Sequence, residues 1–176
     1  MKKQILTIIS LILTIGMILP TANAEEISTY SDYVVEGQST YADSFGLMKG
    51  YDDGTFKPDN NMTRAEFASM IANYKKLDFS KYDDVKLDFT DNDTIPQWAV
   101  PAVKAVYKEG IILGRVNDDG TSTFAPYDNI TRAEAMTILG RILPNNDDLP
   151  NLPFADKNDI PQWAEEGVSK LYSTGI

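Results

Sequence analysis

The feature that most constrains this chain is that it repeats itself. Phe89-Thr90-Asp91, followed by Ile95-Pro96-Gln97-Trp98-Ala99, recurs 65 residues later as Phe154-Ala155-Asp156 and Ile160-Pro161-Gln162-Trp163-Ala164. Thr63-Arg64-Ala65-Glu66 recurs 68 residues later as Thr131-Arg132-Ala133-Glu134, and an Asp-Asp-Gly-Thr turn, a Phe and a Pro precede both. At the turn the offset falls to 66, because Ser122 and Thr123 lengthen the second copy. Such a period marks a unit too small to bury its own apolar face, so neighbouring copies must share a core.

Periodicity inside the copies predicts their helices. Ala99, Ala102, Val103 and Val106 sit at i, i+3, i+4 and i+7, matched by Ala164, Gly167, Val168 and Leu171. This is an amphipathic helix with Pro in its first turn and Gly110 or Gly175 at its end. The apolar Ile111-Ile112-Leu113 and a turn at Asp118-Asp119-Gly120 follow. A second helix starts at each Thr-Arg-Ala-Glu, with Phe67, Met70, Ile71 and Tyr74 as one stripe and Ala135, Ile138, Leu139 and Ile142 as the other. Each repeat is therefore helix, loop with turn, helix. The copies are unequal: residues 154–176 hold only the first helix, and residues 31–45 read as a degenerate first helix with Gln38 and Ser39 on its stripe. The expected organisation is repeat 1 over 25–76, a linker over 77–88, repeat 2 over 89–143, a linker over 144–153, and a truncated repeat 3 over 154–176.

Residues 1–24 read as a signal peptide. Met1-Lys2-Lys3 precedes an apolar run from Ile5 to Leu19 and an Ala-x-Ala site ending at Ala24. The run falls short of the ~20 residues that span a bilayer, so no membrane association is expected after cleavage. Without Lys2 and Lys3, 14 basic residues face 26 acidic ones, a net charge of −12. That balance opposes nucleic-acid binding, which needs basic patches. The chain has no Cys and no His, so neither a disulfide framework nor His-dependent zinc or triad chemistry is available. The Asp-Asp-Gly turns lack calcium-loop spacing, and the loop Asp residues have no apolar pocket to raise a pKa. We expect no catalytic residue, no metal and no cofactor.

Two motifs carry specific chemistry. Thr63 with Glu66, and Thr131 with Glu134, fit helix-capping boxes in which each side chain satisfies the other residue's backbone N–H. Capping does not account for Arg64 and Arg132, which place a cation at the first helical position against the dipole. Either each arginine pairs with a nearby acid, or each forms an anion site that grips a carboxylate bidentately. Trp98 and Trp163 likewise read either as core plugs or as platforms for a sugar ring.

In order, Phe-x-Asp, Trp-Ala, Gly-Ile, Asp-Gly-Thr-Phe-x-Pro and Thr-Arg-Ala-Glu resemble the S-layer homology (SLH) repeat, over about residues 46–176. The resemblance implies an all-α fold of tandem helix-loop-helix repeats in a pseudo-threefold assembly, with the third repeat incomplete. It implies binding to pyruvylated secondary cell-wall polysaccharide attached to peptidoglycan, and a secreted location at the wall or S-layer of a Gram-positive-type envelope. By the same resemblance the polysaccharide-binding residues are Arg64, Arg132, Trp98, Trp163, Gly54, Thr55, Gly120 and Thr121. A pyruvyl ketal supplies the carboxylate that an arginine at the helix start would suit. Two alternatives stand beside this: the targeting part of a larger extracellular polysaccharide hydrolase, or a structural surface-layer protein that self-associates through the truncated repeat.

Overall fold

The computed structural model describes residues 51, 55, 57–146 and 148–175, so the signal peptide, the degenerate first helix and Gly54 lie outside the described residues. Within them the chain is predominantly helical. Helix α1 spans Arg64–Tyr74, α2 Val100–Lys108, α3 Arg132–Ile142 and α4 Gln162–Ser173. Between α2 and α3 a small antiparallel hairpin pairs β1, Arg115–Val116, with β2, Ser122–Thr123, in the register Arg115↔Thr123 and Val116↔Ser122. Short 3-10 turns at Phe79–Tyr82, Asn92–Thr94 and Lys157–Asp159 complete the elements.

The four helices pack as two pairs, α1 on α2 and α3 on α4. The stripes read from the sequence face inward: Phe67, Met70 and Ile71 of α1, Ala102, Val103 and Val106 of α2, and Ala135, Ile138 and Leu139 of α3 lie in one core with Phe89, Ile95 and Phe124. Burying a Phe, Ile, Leu or Val side chain is worth roughly 1.5–3 kcal/mol, so sharing this core stabilises both copies. Neither half could assemble it alone. The linker expected over 77–88 is docked on α2: Lys104 Nζ donates to the Asp83 carbonyl at 2.6 Å and Tyr82 to Glu109 at 2.8 Å.

One helix begins later than its repeat predicts. Copying α4 back by 65 residues would start α2 at Gln97, yet it starts at Val100 and a turn occupies the preceding residues. Position 101 is Pro where position 166 is Glu. Pro101 has no N–H to donate to the Gln97 carbonyl, so α-helical bonding cannot extend back through that turn. Both helices end on a left-handed glycine, Gly110 at φ +69° and Gly175 at φ +87°, as the spacing predicts. Among the described residues no helix is long and apolar enough to cross a membrane.

The α3–α4 pair depends on close approach. A Cβ built on Gly140 would lie 2.5 Å from the Gly167 Cα, and one on Gly167 would lie 2.7 Å from the Met136 carbonyl oxygen. Because these neighbours are backbone, the helices themselves would have to separate. In an open helix Gly→Ala gains about 1 kcal/mol. Here Gly140→Ala is expected to lose about 1–3 kcal/mol through overpacking, read as a lower denaturant midpoint; a raised midpoint would refute the close contact.

Candidate functional site

Both Thr-Arg-Ala-Glu segments start their helices with a complete capping box. Glu66 N–H donates to Thr63 Oγ1 at 3.2 Å and Thr63 N–H donates back to Glu66 Oε2 at 2.7 Å. Glu134 N–H and Thr131 repeat this at 3.2 and 2.9 Å. The two arginines that follow the caps have different surroundings.

Arg64 is inside the molecule, at 3 % exposure. Its Nε donates to the Phe124 carbonyl at 2.7 Å and its Nη1 to Glu134 Oε1 at 2.8 Å, while the guanidinium sits 5.6 Å from the Phe124 ring centroid. The backbone around it is docked too: Arg64 N–H donates to the Asp128 carbonyl at 2.9 Å and Ala65 N–H to the Pro126 carbonyl at 3.0 Å. The start of α1 is thus covered by the loop of the following repeat. Of the two readings of the arginine, the ion pair describes Arg64, whose guanidinium has no open face for a polymer.

Arg132, in contrast, lies exposed at the start of α3. Beside it Glu134 serves as a hub. Besides capping Thr131 it accepts from Arg64 and, through Oε1 at 2.7 Å, from Arg115 Nε; Arg115 also donates to Asp128 Oδ2. Burial pushes the Glu134 carboxyl up, but the Arg115 hydrogen bond, the Thr131 contacts and the Arg64 charge outweigh it and hold the carboxyl below its ordinary value. Burial also lowers Arg64, opposed by the Glu134 charge, whereas the Glu134 hydrogen bond raises Arg115. Arg115 lies on a two-residue strand, where no periodicity could single it out. Its partners are 13 and 19 residues away, so only the folded loop brings them together.

The tryptophans do not fill the core. Trp98 is 60 % exposed and Trp163 57 % exposed, each just ahead of or within the first turn of its helix. Thr121 is held in its turn by Asp119 Oδ1, which accepts its N–H at 2.9 Å and its hydroxyl at 2.6 Å, with Gly120 at φ +82° beside it. Thr55 is exposed, and its carbonyl accepts from Tyr51 N–H at 2.7 Å. A role missed by sequence reasoning belongs to Asp91 of the Phe-x-Asp motif. Its carboxylate accepts Phe124 N–H at 2.8 Å and Ala125 N–H at 2.7 Å, pinning a turn in which Ala125 takes φ +53°. Among the described residues no cluster of acids is arranged to hold a metal ion.

Two helix-loop-helix copies locked by reciprocal loop docking define a helical repeat module. The model of the S-layer homology domain matches residues 41–68 and 88–136. Over 157 residues, 80 % of this chain and 6 % of the relative, the chain is 34 % identical to cell surface glycoprotein 1 of Acetivibrio thermocellus. It is 28 % identical to S-layer protein sap of Bacillus anthracis over 99 % of this chain and 21 % of that protein. It is 35 % identical to the cellulosome-anchoring protein of Acetivibrio thermocellus over 74 % of this chain and 28 % of that protein. The chain thus spans less than a third of each of these relatives. It belongs to the S-layer homology family, a family of non-catalytic modules of the cell surface.

The Glu134 hub makes stability depend on acid. A carboxylate whose folded pKa is depressed contributes stability in full above its unfolded value, ordinarily 4.5, and that contribution is lost as pH falls through the lower folded value. Glu134→Gln should flatten this acid dependence. Arg64→Ala should cost about 3 kcal/mol, because it opens a buried pair; a loss within 0.5 kcal/mol, about that of an ordinary surface change, would show that the pair carries no load.

Proposed function

We propose that this module anchors an exported protein noncovalently to the cell wall by binding a secondary wall polysaccharide that carries carboxylates, such as pyruvyl ketals. The observation that carries this reading is the split between the two arginines. Arg64 is consumed by the contact between repeats, whereas Arg132 projects at the start of α3, where helix dipole and guanidinium both favour an anion. Arg64 then supports the neighbouring repeat, and Arg132 is the residue that meets polymer.

Trp98 and Trp163 support the same reading by exposure. Holding an indole more than half in water forgoes burial worth several kcal/mol, and a flat apolar face beside a helix start suits stacking on a sugar ring. Gly120 and Thr121 form the rigid turn of the same repeat, and Gly54 and Thr55 occupy the matching sequence positions in the first. The protein and an anionic polymer carry like net charge, but over ~8 Å at physiological salt the bulk charge is screened and local groups decide. Metal and cofactor have no part in this binding.

The test is co-sedimentation of the signal-cleaved protein with purified walls, before and after extraction of the secondary polymer. Pelleting should be lost with the polymer, and equal pelleting with extracted walls would overturn the ligand. Arg132→Ala should weaken pelleting about tenfold, the worth of one charge-assisted bidentate contact, with helical content unchanged. If Arg132→Ala unfolds the chain instead, its role is structural.

A further inference from the structure

The two copies can be compared position by position inside one molecule. Phe89 is 5 % exposed, its ring against Tyr107 at 5.0 Å and Phe124 at 5.6 Å. Its counterpart Phe154 keeps the equivalent of the first contact, with Tyr172 at 5.8 Å, but is 41 % exposed. Asp91 accepts two backbone N–H groups from residues 124 and 125, whereas the Asp156 carboxylate accepts none among the described residues and is exposed. Arg64 is buried under residues 124–134, and its counterpart Arg132 is exposed. Since α3 packs on α4 as α1 packs on α2, these uncovered positions form one face. The structure itself shows what covers such a face: a turn with a left-handed residue, two loop carbonyls and a capping Glu.

The same chain carries a second segment of that kind. Lys57 holds φ +53°, as Ala125 does, and Asn60 N–H donates to the Lys57 carbonyl at 3.0 Å as Asp128 N–H does to the Ala125 carbonyl at 3.2 Å. Glu66 caps α1 as Glu134 caps α3. Yet Glu66 accepts from Tyr51 and Thr63 only, with no arginine among the described residues, where Glu134 holds two.

We propose that residues 57–66 of one copy dock on the α3–α4 face of a second copy, joining chains head to tail. Glu66 of one copy takes Arg132 of the next, the Asn60 and Pro58 carbonyls receive the N–H groups of Arg132 and Ala133, and Asp156 receives the Lys57 N–H. Each contact copies one already made between Arg64, Ala65 or Asp91 and residues 125–134. The interface is heterologous, so both ends remain open for further addition. It rests on no part of the polymer reading, and it would cover Arg132, so polymer and association would compete.

Sedimentation velocity of the signal-cleaved protein over a wide concentration range is the test. The mean mass should rise with concentration and reach no fixed stoichiometry. Asp156→Asn, at an exposed carboxylate outside any described hydrogen bond, should weaken association without altering helical content, and Arg132→Glu and Glu66→Arg should each weaken it about tenfold or more. Mixing the last two variants should restore complexes, because one still offers Glu66 and the other still offers Arg132. A monomer at every concentration, which includes closure of residues 57–66 on their own chain, would overturn the proposal. So would association unaffected by Asp156→Asn and Arg132→Glu, or a mixture no larger than its components.

Discussion

Glu134 is where the repeats are joined, and most of the described structure depends on it. One carboxylate closes the cap of its own helix, receives the buried guanidinium of the preceding repeat, and receives Arg115 from the hairpin between them. A helix cap alone is worth about 1 kcal/mol. Bonding two guanidiniums to the same carboxylate in a half-buried site makes it far more consequential, because removing any one partner leaves charge without compensation. The junction between copies is therefore polar at its rim and apolar beneath, where Phe124 packs under Arg64 and against Phe89.

This arrangement explains how a single motif acquires two uses. The Thr and Glu of Thr-Arg-Ala-Glu act within their own helix and behave alike in both copies. The Arg acts outward, and its fate depends on whether another repeat covers it. Covered, as Arg64 is, it is part of the core; uncovered, as Arg132 is, it is surface chemistry at a helix start. Phe89 and Phe154, or Asp91 and Asp156, divide in the same way. An identical residue is structural or available according to its neighbour.

Much of the fold was legible because periodicity and capping are local. The stripes at i, i+3, i+4 and i+7 marked the buried faces of α1 to α3, and Gly110 and Gly175 marked helix ends. The start of α2 was not, because the effect of Pro101 shows only when its missing N–H is set against the Gln97 carbonyl. The hairpin was read as loop because two residues per strand carry no alternation. Of the candidate site, the sequence marked the positions but not their exposure: the pairing alternative was open equally for Arg64 and Arg132, and Trp98 and Trp163 read as readily as core.

Sequence by itself determined the repeat, its helices, their caps and the family to which they belong, since each of these rests on spacing within a few residues or on copies at fixed offset. Tertiary structure alone decided which arginine is spent, which acid joins the repeats, and which face is left uncovered. Those outcomes depend on contacts between residues 60 or 70 positions apart, as with Arg64, Phe124 and Glu134. No local pattern encodes them, because burial is set by what another segment of chain places on top.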